Sequence, residues 1–434
     1  MAAANEGADN ALLQGGPRNT PARVLKPFDR GEIKVLLLEG VAETGVELLT
    51  KAGYQVEYHV KALPVEQLIE KIAHVHVVGI RSKTQLTAEV LQHAKKLQAI
   101  GCFCIGTNQV DLDYAAQKGI CVFNSPFSNS RSVAELVMAE VVCLARQIAD
   151  RVREMHDGNW QKKSAGCREI RSKTLGIVGY GHIGTQLSVM ADAMGMKVIF
   201  FDVLQIMPLG TAQPMDTLDE VLEQADFVTL HVPDTPETRN MITREELMRM
   251  KKGAYLINAS RGTVVDIEAL AEALRSGHLA GAAVDVYPSE PLANGAGWEN
   301  PLRGCPNTIL TPHIGGSTEE AQYAIGVEVG AALTKFVNTG CTLNAVNFPE
   351  TDLRPSTTTV ETARIINCHR NVPGVLKQIN KILSDYNIEK QISDSNGAVA
   401  YFMADVVIPN DKTLAQLYMS LSKIDEAINT RILY

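Results

Sequence analysis

One run constrains the fold more than any other: Lys173-Thr174-Leu175-Gly176-Ile177-Val178-Gly179-Tyr180-Gly181-His182-Ile183-Gly184. Its apolar first half reads as a buried strand, its glycines as a tight turn, and its end as the opening turn of a helix. Gly179 allows the sharp turn, Gly181 lets a pyrophosphate approach the backbone, and Gly184 lets helix and strand pack closely. Free N–H groups at the helix N-terminus suit phosphates. A helix follows with Leu187, Met190, Ala191 and Met194 on one face, and then a second apolar strand, Lys197 to Phe201, that ends in Asp202. A carboxylate at that strand end accepts from ribose hydroxyls and repels a 2′-phosphate. No arginine follows at once, so the pattern favours NAD over NADP.

The same alternation of short apolar runs with amphipathic helical stretches extends over most of the chain, which is the signature of parallel α/β structure. Strands are expected at Lys34 to Leu38, Gln55 to His59, His76 to Ile80, Gln98 to Cys102 and Ile120 to Phe123, making one small doubly wound unit. A long helix should follow, capped within Ser128 to Ser132, with Val133, Leu136, Val137, Val141, Leu144 and Ile148 on one stripe. The glycine-rich unit then takes strands at Leu175 to Val178, Val198 to Asp202, Phe227 to His231, Ala254 to Asn258, Gly281 to Asp285 and Thr308 to Leu310. A helix from Thr318 to about Asn338 returns the chain, so two α/β domains with a cleft are expected, a favoured place for a ligand. Residues 350–361 read as a polar linker, and the rest has a βαββαβ order, a compact ferredoxin-like module.

Composition excludes several classes of function. A net charge of −8 without a basic run argues against nucleic-acid binding. The most apolar helix, Val133 to Ala145, contains Glu135 and Glu140, so no stretch resembles a membrane span. The eight cysteines share no metal-ligand spacing and fit reduced thiols in a cytoplasmic protein, Cys102 and Cys104 falling in an apolar stretch that reads as core. Residues 1–31, rich in Ala, Gly, Asn and Pro, read as a disordered extension.

Three residues fall just beyond strand ends of the glycine-rich unit, where ligands bind in such sheets: Arg261, Glu290 and His313. Singly, each also fits a surface Arg, a solvated Glu or a His bonded to backbone. Together they make a reaction centre. A hydride leaves a secondary alcohol only if the O–H proton is taken, and a histidine titrates near neutral pH. Glu290 would fix its tautomer and stabilise the imidazolium, while Arg261 would grip an α-carboxylate through two hydrogen bonds. Base, orienter and clamp imply a 2-hydroxy acid.

Four motifs carry a resemblance: Gly-Tyr-Gly-His-Ile-Gly, Asn-Ala-Ser-Arg-Gly-Thr-Val-Val-Asp, Asp-Val-Tyr-Pro-Ser-Glu-Pro and Thr-Pro-His-Ile-Gly-Gly-Ser-Thr. With them the chain resembles the D-isomer-specific 2-hydroxyacid dehydrogenases. The run Ile100 to Leu112, Phe127-Ser128-Asn129 and the terminal module narrow the resemblance to the bacterial-type branch that acts on 3-phosphoglycerate and carries one ACT domain. It implies two Rossmann-like domains plus an ACT module: 32–128 with 317–349 binding substrate, 129–316 binding NAD, and 362–434 regulatory.

The implied reaction is NAD-dependent oxidation of 3-phospho-D-glycerate to 3-phosphohydroxypyruvate, the first step of L-serine biosynthesis, with 2-oxoglutarate reduction as a side activity. The resemblance gives Arg261, Glu290 and His313 the catalytic roles above. It places the cofactor against Gly179, Gly181, His182, Ile183, Gly184, Asp202, Ala259, Ser260, Asp285, Ile314, Gly315 and Gly316 as well as Arg261 and His313. Substrate falls to Arg81, Ser82, Lys83, Asn129 and Gln322. Trp160 and Lys162 match a segment that reaches a neighbouring subunit, which implies a homotetramer. His369 and Asn371 match ligands of an L-serine effector, but the third ligand of the family, an Asn, is Glu389 here, and Ser356 to Thr359 replace a glycine hinge. A weakened or altered serine response is therefore expected. Two other functions remain open at this point: a dehydrogenase of another D-2-hydroxy acid, and an NAD-sensing protein without catalysis, like the corepressors that share the fold.

Overall fold

The computed structural model describes residues 29–291, 294–354, 362–408 and 411–434. Most of the N-terminal extension, the Ser356 to Thr359 stretch and the rest of 355–361 lie outside these. Two compact units emerge, one from the residues up to Pro126 together with Gln322–Tyr434, the other from Phe127–Ala321.

The first unit holds a parallel five-stranded sheet of β1 (Lys34–Leu37), β2 (Gln55–Tyr58), β3 (Val77–Ile80), β4 (Ala99–Cys102) and β5 (Cys121–Phe123), in the order β2-β1-β3-β4-β5. The inner strands β3 and β4 are buried along their whole length, which is why they read as unbroken apolar runs. The helix Glu319–Thr339 packs here through Val329, Leu333, Phe336 and Val337. A Cβ on Gly101 of β4 would stand 2.7 Å from Leu333 Cδ1, so the glycine admits that helix.

The second unit is built on seven parallel strands: β6 (Thr174–Val178), β7 (Lys197–Phe201), β8 (Gln213–Pro214), β9 (Phe227–Leu230), β10 (Tyr255–Asn258), β11 (Gly281–Val284) and β12 (Thr308–Leu310). Their order is β12-β11-β10-β9-β6-β7-β8, with the reversal at β6 that marks a doubly wound sheet. The two-residue edge strand β8 was not expected from the sequence. The helix Ser130–Arg146 buries Val133, Val137, Val141 and Leu144 against the sheet. It stops where Gln147 turns left-handed (φ 52°), and a separate helix, Ile148–His156, follows. Ile148 is therefore not on the buried stripe but exposed. Within the expected capping stretch, Asn129 takes the cap position of the first helix without a side-chain bond, and Ser132 pairs with Thr318 at 2.8 Å.

The terminal sheet, belonging to the first unit, is antiparallel: β13 (Thr362–Arg370), β14 (Ile388–Ser395), β15 (Val399–Val407) and β16 (Ala427–Leu433), ordered β14-β15-β13-β16. Two helices, Val375–Leu383 and Asp411–Ser422, cover one face through Ile379, Leu383, Leu417 and Leu421. The other face, with Ile366, Cys368, Tyr401 and Met403, shares a core with Phe336, Val337 and Phe348. A buried bidentate pair, Arg364 Nε and Nη2 on Asp405 at 2.7 and 2.8 Å, sits there and Arg364 also donates to Thr339 O. The opening of the expected linker is packed rather than free, since Thr351 is buried and bonded to Thr342. Residues 29–31 are likewise tied down, by Gly31 N on Asp29 Oδ1 and by Gln55 on Gly31 O. Among the described residues no helix is long and apolar enough to cross a membrane.

Candidate active site

The glycine turn after β6 is shaped from within. Gly179 has φ +93°, and a Cβ there would stand 2.4 Å from the His231 carbonyl oxygen; one on Gly184 would stand 2.4 Å from Gly179 O. Gly181 differs: a Cβ would meet nothing within 4 Å. Among the described residues no atom demands glycine at that point, and open space lies beside it at the first turn of the helix His182–Ala193. The N–H groups of that turn have no acceptor within the helix. An open approach, unpaired donors and the positive end of a helix dipole are what a dinucleotide pyrophosphate requires. Asp202, just past β7, accepts from Tyr180 N (2.7 Å) and Leu204 N (2.9 Å), tying the strand end to the turn with acceptor capacity to spare for a ribose. The His182 ring stacks on Phe127 at 3.6 Å.

Past β10, β11 and β12 the three loops lock together. Beyond β10, the Asn258 side chain takes Ser260 N and Oγ on its oxygen (3.1 and 2.8 Å) and donates to Arg261 O (3.0 Å), which fixes the turn that carries Ala259, Ser260 and Arg261. One guanidinium N–H of Arg261 is spent on Ser260 O (2.7 Å), and among the described residues the others stay available. Next comes Gly262, where a Cβ would lie 2.0 Å from the Tyr287 carbonyl carbon, so only glycine lets this turn touch the loop beyond β11. Neither Asn258 nor Gly262 was singled out from the sequence.

Asp285 is 1% exposed and organises the third loop. Its Oδ1 accepts from Thr311 Oγ1 (2.6 Å) and Ile314 N (2.8 Å), its Oδ2 from Gly315 N (2.8 Å), and its carbonyl from His313 N (2.8 Å). His313 is thereby held at φ 54°, a left-handed backbone that costs a non-glycine residue about 1 kcal/mol or more. Such strain persists where the surroundings over-determine it, and here it aims the imidazole. The ring's Nδ1 meets Glu290 Oε2 at 2.8 Å, and Glu290 Oε1 also accepts from Tyr287 N at 3.1 Å. Expected base and orienter are thus in direct contact, with the His313 side chain about half exposed. The other histidine at a strand end, His231, is drawn down to about 4 by desolvation, so it stays neutral at working pH and makes a poor proton acceptor.

Gly316 packs on the Asn129 amide, whose Oδ1 is buried without a partner. Behind Asp285, on the helix Ser130–Arg146, Glu140 is 3% exposed, and neither carboxyl oxygen has a hydrogen-bond partner among the described residues. Burial first, and the Asp285 charge second, push it up to about 8. In the first unit, Arg81, Ser82 and Lys83 form the loop beyond β3, and Gln322 falls at the start of that unit's helical return. Among the effector residues, His369 is buried with Nδ1 3.0 Å from Asn367 Oδ1, and burial lowers its pKa; Asn371 donates to Gly397 O at 2.9 Å.

Residues 138–315 match the family described as D-isomer specific 2-hydroxyacid dehydrogenase, NAD binding domain. D-3-phosphoglycerate dehydrogenase 1 of Saccharomyces cerevisiae is 56% identical over 421 residues, covering 95% of this chain and 90% of the relative. The D-3-phosphoglycerate dehydrogenase of Escherichia coli is 48% identical over 410 residues, covering 94% and 99%. Among solved structures, the NAD-complexed D-isomer specific 2-hydroxyacid dehydrogenase of Lactobacillus delbrueckii superposes with a TM-score of 0.64 at 28% identity, over 72% of this chain and all of that one. A phosphate-ready glycine turn, a His–Glu pair at a strand end and relatives aligned over nearly the full length converge: the chain belongs to the D-isomer specific 2-hydroxyacid dehydrogenase family and is an NAD-dependent oxidoreductase.

Proposed function

We propose that the chain oxidises 3-phospho-D-glycerate to 3-phosphohydroxypyruvate with NAD and so opens L-serine biosynthesis. The observation that carries the chemistry is the His313 Nδ1 to Glu290 contact of 2.8 Å. With Nδ1–H donated to the carboxylate, Nε2 holds a free lone pair, and it takes the proton of the C2 hydroxyl. NAD, when bound, accepts the hydride from C2. Glu290 then faces an imidazolium and stabilises it, until the proton passes to solvent. Arg261 fixes the substrate carboxylate through its remaining N–H groups and stabilises the negative charge that develops on the C2 oxygen as its proton leaves, before that electron pair forms the carbonyl and hydride departs. Asp285 keeps Ile314 and Gly315 in place against the cofactor, with Gly316 beside Asn129. Arg81, Ser82 and Lys83 take the phosphate, with Asn129 and Gln322 completing the substrate contacts. That both relatives are D-3-phosphoglycerate dehydrogenases supports that choice of substrate over other 2-hydroxy acids.

Four finer readings belong to the same proposal. The unit of residues 362–434 is an ACT module, supported by its 2-3-1-4 strand order and two-helix face. A homotetramer is supported by Trp160, 78% exposed, and by exposed Ile148, Val152 and Met155 on the neighbouring helix, an apolar surface that a second copy would cover. L-Serine is at most a weak effector, since a Glu389 carboxylate would repel the serine carboxylate and His369 is already buried and bonded. A cytoplasmic setting fits the eight free cysteines. The test of the chemistry is His313→Ala, for which turnover falls about 10²- to 10⁴-fold while NADH still binds. Near-full turnover in that variant would remove His313 as the base.

A further inference from the structure

The loop that carries Arg81, Ser82 and Lys83 is gripped from both sides. It follows β3, which lies between β1 and β4 in the sheet. From beyond β1, Glu39 reaches across: Oε2 accepts from Lys83 N (2.9 Å) and Oε1 from Thr84 N (2.7 Å). From beyond β4, the buried Gln109 amide donates to Arg81 O (2.7 Å) and also reaches Gly106 O (3.1 Å). Glu39 itself is 8% exposed and held left-handed at φ 65°, a strained state for a glutamate that the fold nevertheless keeps.

This arrangement solves a specific problem. A carboxylate next to two cations ordinarily captures one of them, and a captured Arg or Lys is a poor phosphate ligand. Here both carboxylate oxygens are spent on backbone N–H groups, while Arg81 and Lys83 make no ion pair among the described residues. The backbone is fixed at both ends of the loop and the cationic side chains stay uncommitted.

We propose that Glu39 and Gln109 are positioning residues that set specificity for a phosphorylated substrate, by pinning the 81–84 backbone so that the Arg81 and Lys83 side chains are presented to the phosphate. The inference rests on the functional reading above. The test is Glu39→Gln in the full-length enzyme, with KM and kcat measured for 3-phosphohydroxypyruvate and for glyoxylate, beside the NADH Kd. Glu39→Gln turns an NH2 toward an N–H and frees the loop. The KM for the phosphorylated acid should rise about 10- to 100-fold, the range expected when a binding group is misplaced by an ångström, while kcat at saturation, the glyoxylate KM and the NADH Kd stay as in the wild type. Gln109→Met, which keeps the volume and loses the donor, should move the same KM in the same direction, and it decides the matter alone if Glu39→Gln does not fold. Equal rises for both substrates, or no rise in either variant, would overturn the positioning role. A wild type that prefers glyoxylate would instead overturn the functional reading.

Discussion

Glu140 shows how much a single buried group can govern. Its carboxyl is unpartnered and pushed up to about 8 from the ordinary 4.5, by burial and then by the Asp285 charge. Between those two values the folded chain holds a proton that the unfolded chain has released, so stability falls as pH rises from about 4.5 to about 8 and levels off above. Glu140→Gln, isosteric with the neutral acid, removes that titration. The variant should match the wild type near pH 5 and gain on it through the window by on the order of 1 kcal/mol per pH unit, read from urea unfolding at several pH values; a parallel pH dependence would show that Glu140 is ionised in the fold. At Arg261, Lys keeps the charge but loses the fork, so Arg261→Lys should cut kcat/KM about 100-fold, checked by steady-state kinetics. His313, Glu290 and Arg261 were legible in the sequence because each follows an apolar run by a few residues and each has a chemistry that hydride transfer needs. Glu140 was read only as a charge that breaks an apolar helix, and Asn258 and Glu39 not as working residues at all. Their partners are backbone groups and side chains distant in sequence, which no local spacing announces.

The elements were legible where both faces are buried, as in β3, β4, β9 and β10, since a parallel strand between helices must be apolar throughout. The edge strand β8, Gln213–Pro214, has only two exposed residues and no such pattern. The break at Gln147 escaped because the apolar spacing runs on through Ile148 while the backbone turns left-handed between them. Between elements, Gly262 is the contact that joins the Arg261 turn to the Tyr287–Pro288 segment. In Gly262→Ala, a Cβ placed 2.0 Å from a carbonyl carbon must push the turns apart. Turnover should fall by about 10²-fold, as for a misplaced reacting group, with the KM for the substrate raised as well; unchanged kinetics would mean the loops yield freely. On the terminal sheet, Asp405→Ala strands the Arg364 guanidinium in a buried position. The loss should be about 3–5 kcal/mol, measured by denaturant unfolding.

At the scale of the whole molecule, the doubly wound units and the βαββαβ tail could be read from the alternation of strands and helices. How closely the terminal sheet is built into the core of the first unit could not. Tyr401 Oη donates to Gly340 O at 2.9 Å, and Arg431 Nη2 to Val337 O at 2.8 Å; the partners are 61 and 94 residues apart in sequence. These bonds and the Arg364–Asp405 pair tie the terminal module into that core, and the proposal of a weak serine response rests on the Glu389 carboxylate, which would repel a serine carboxylate. Millimolar L-serine should therefore change the NADH-dependent rate less than twofold, and strong inhibition would contradict that account. The central claim, that this NAD-dependent oxidoreductase acts on the phosphorylated acid, is tested most directly by kcat/KM for NADH-dependent reduction of 3-phosphohydroxypyruvate set against glyoxylate and 2-oxoglutarate. Losing two charge-assisted phosphate contacts, each about 1.5–3 kcal/mol, should leave the unphosphorylated glyoxylate at least 100-fold poorer, with 2-oxoglutarate between. Equal or better turnover of glyoxylate would contradict it.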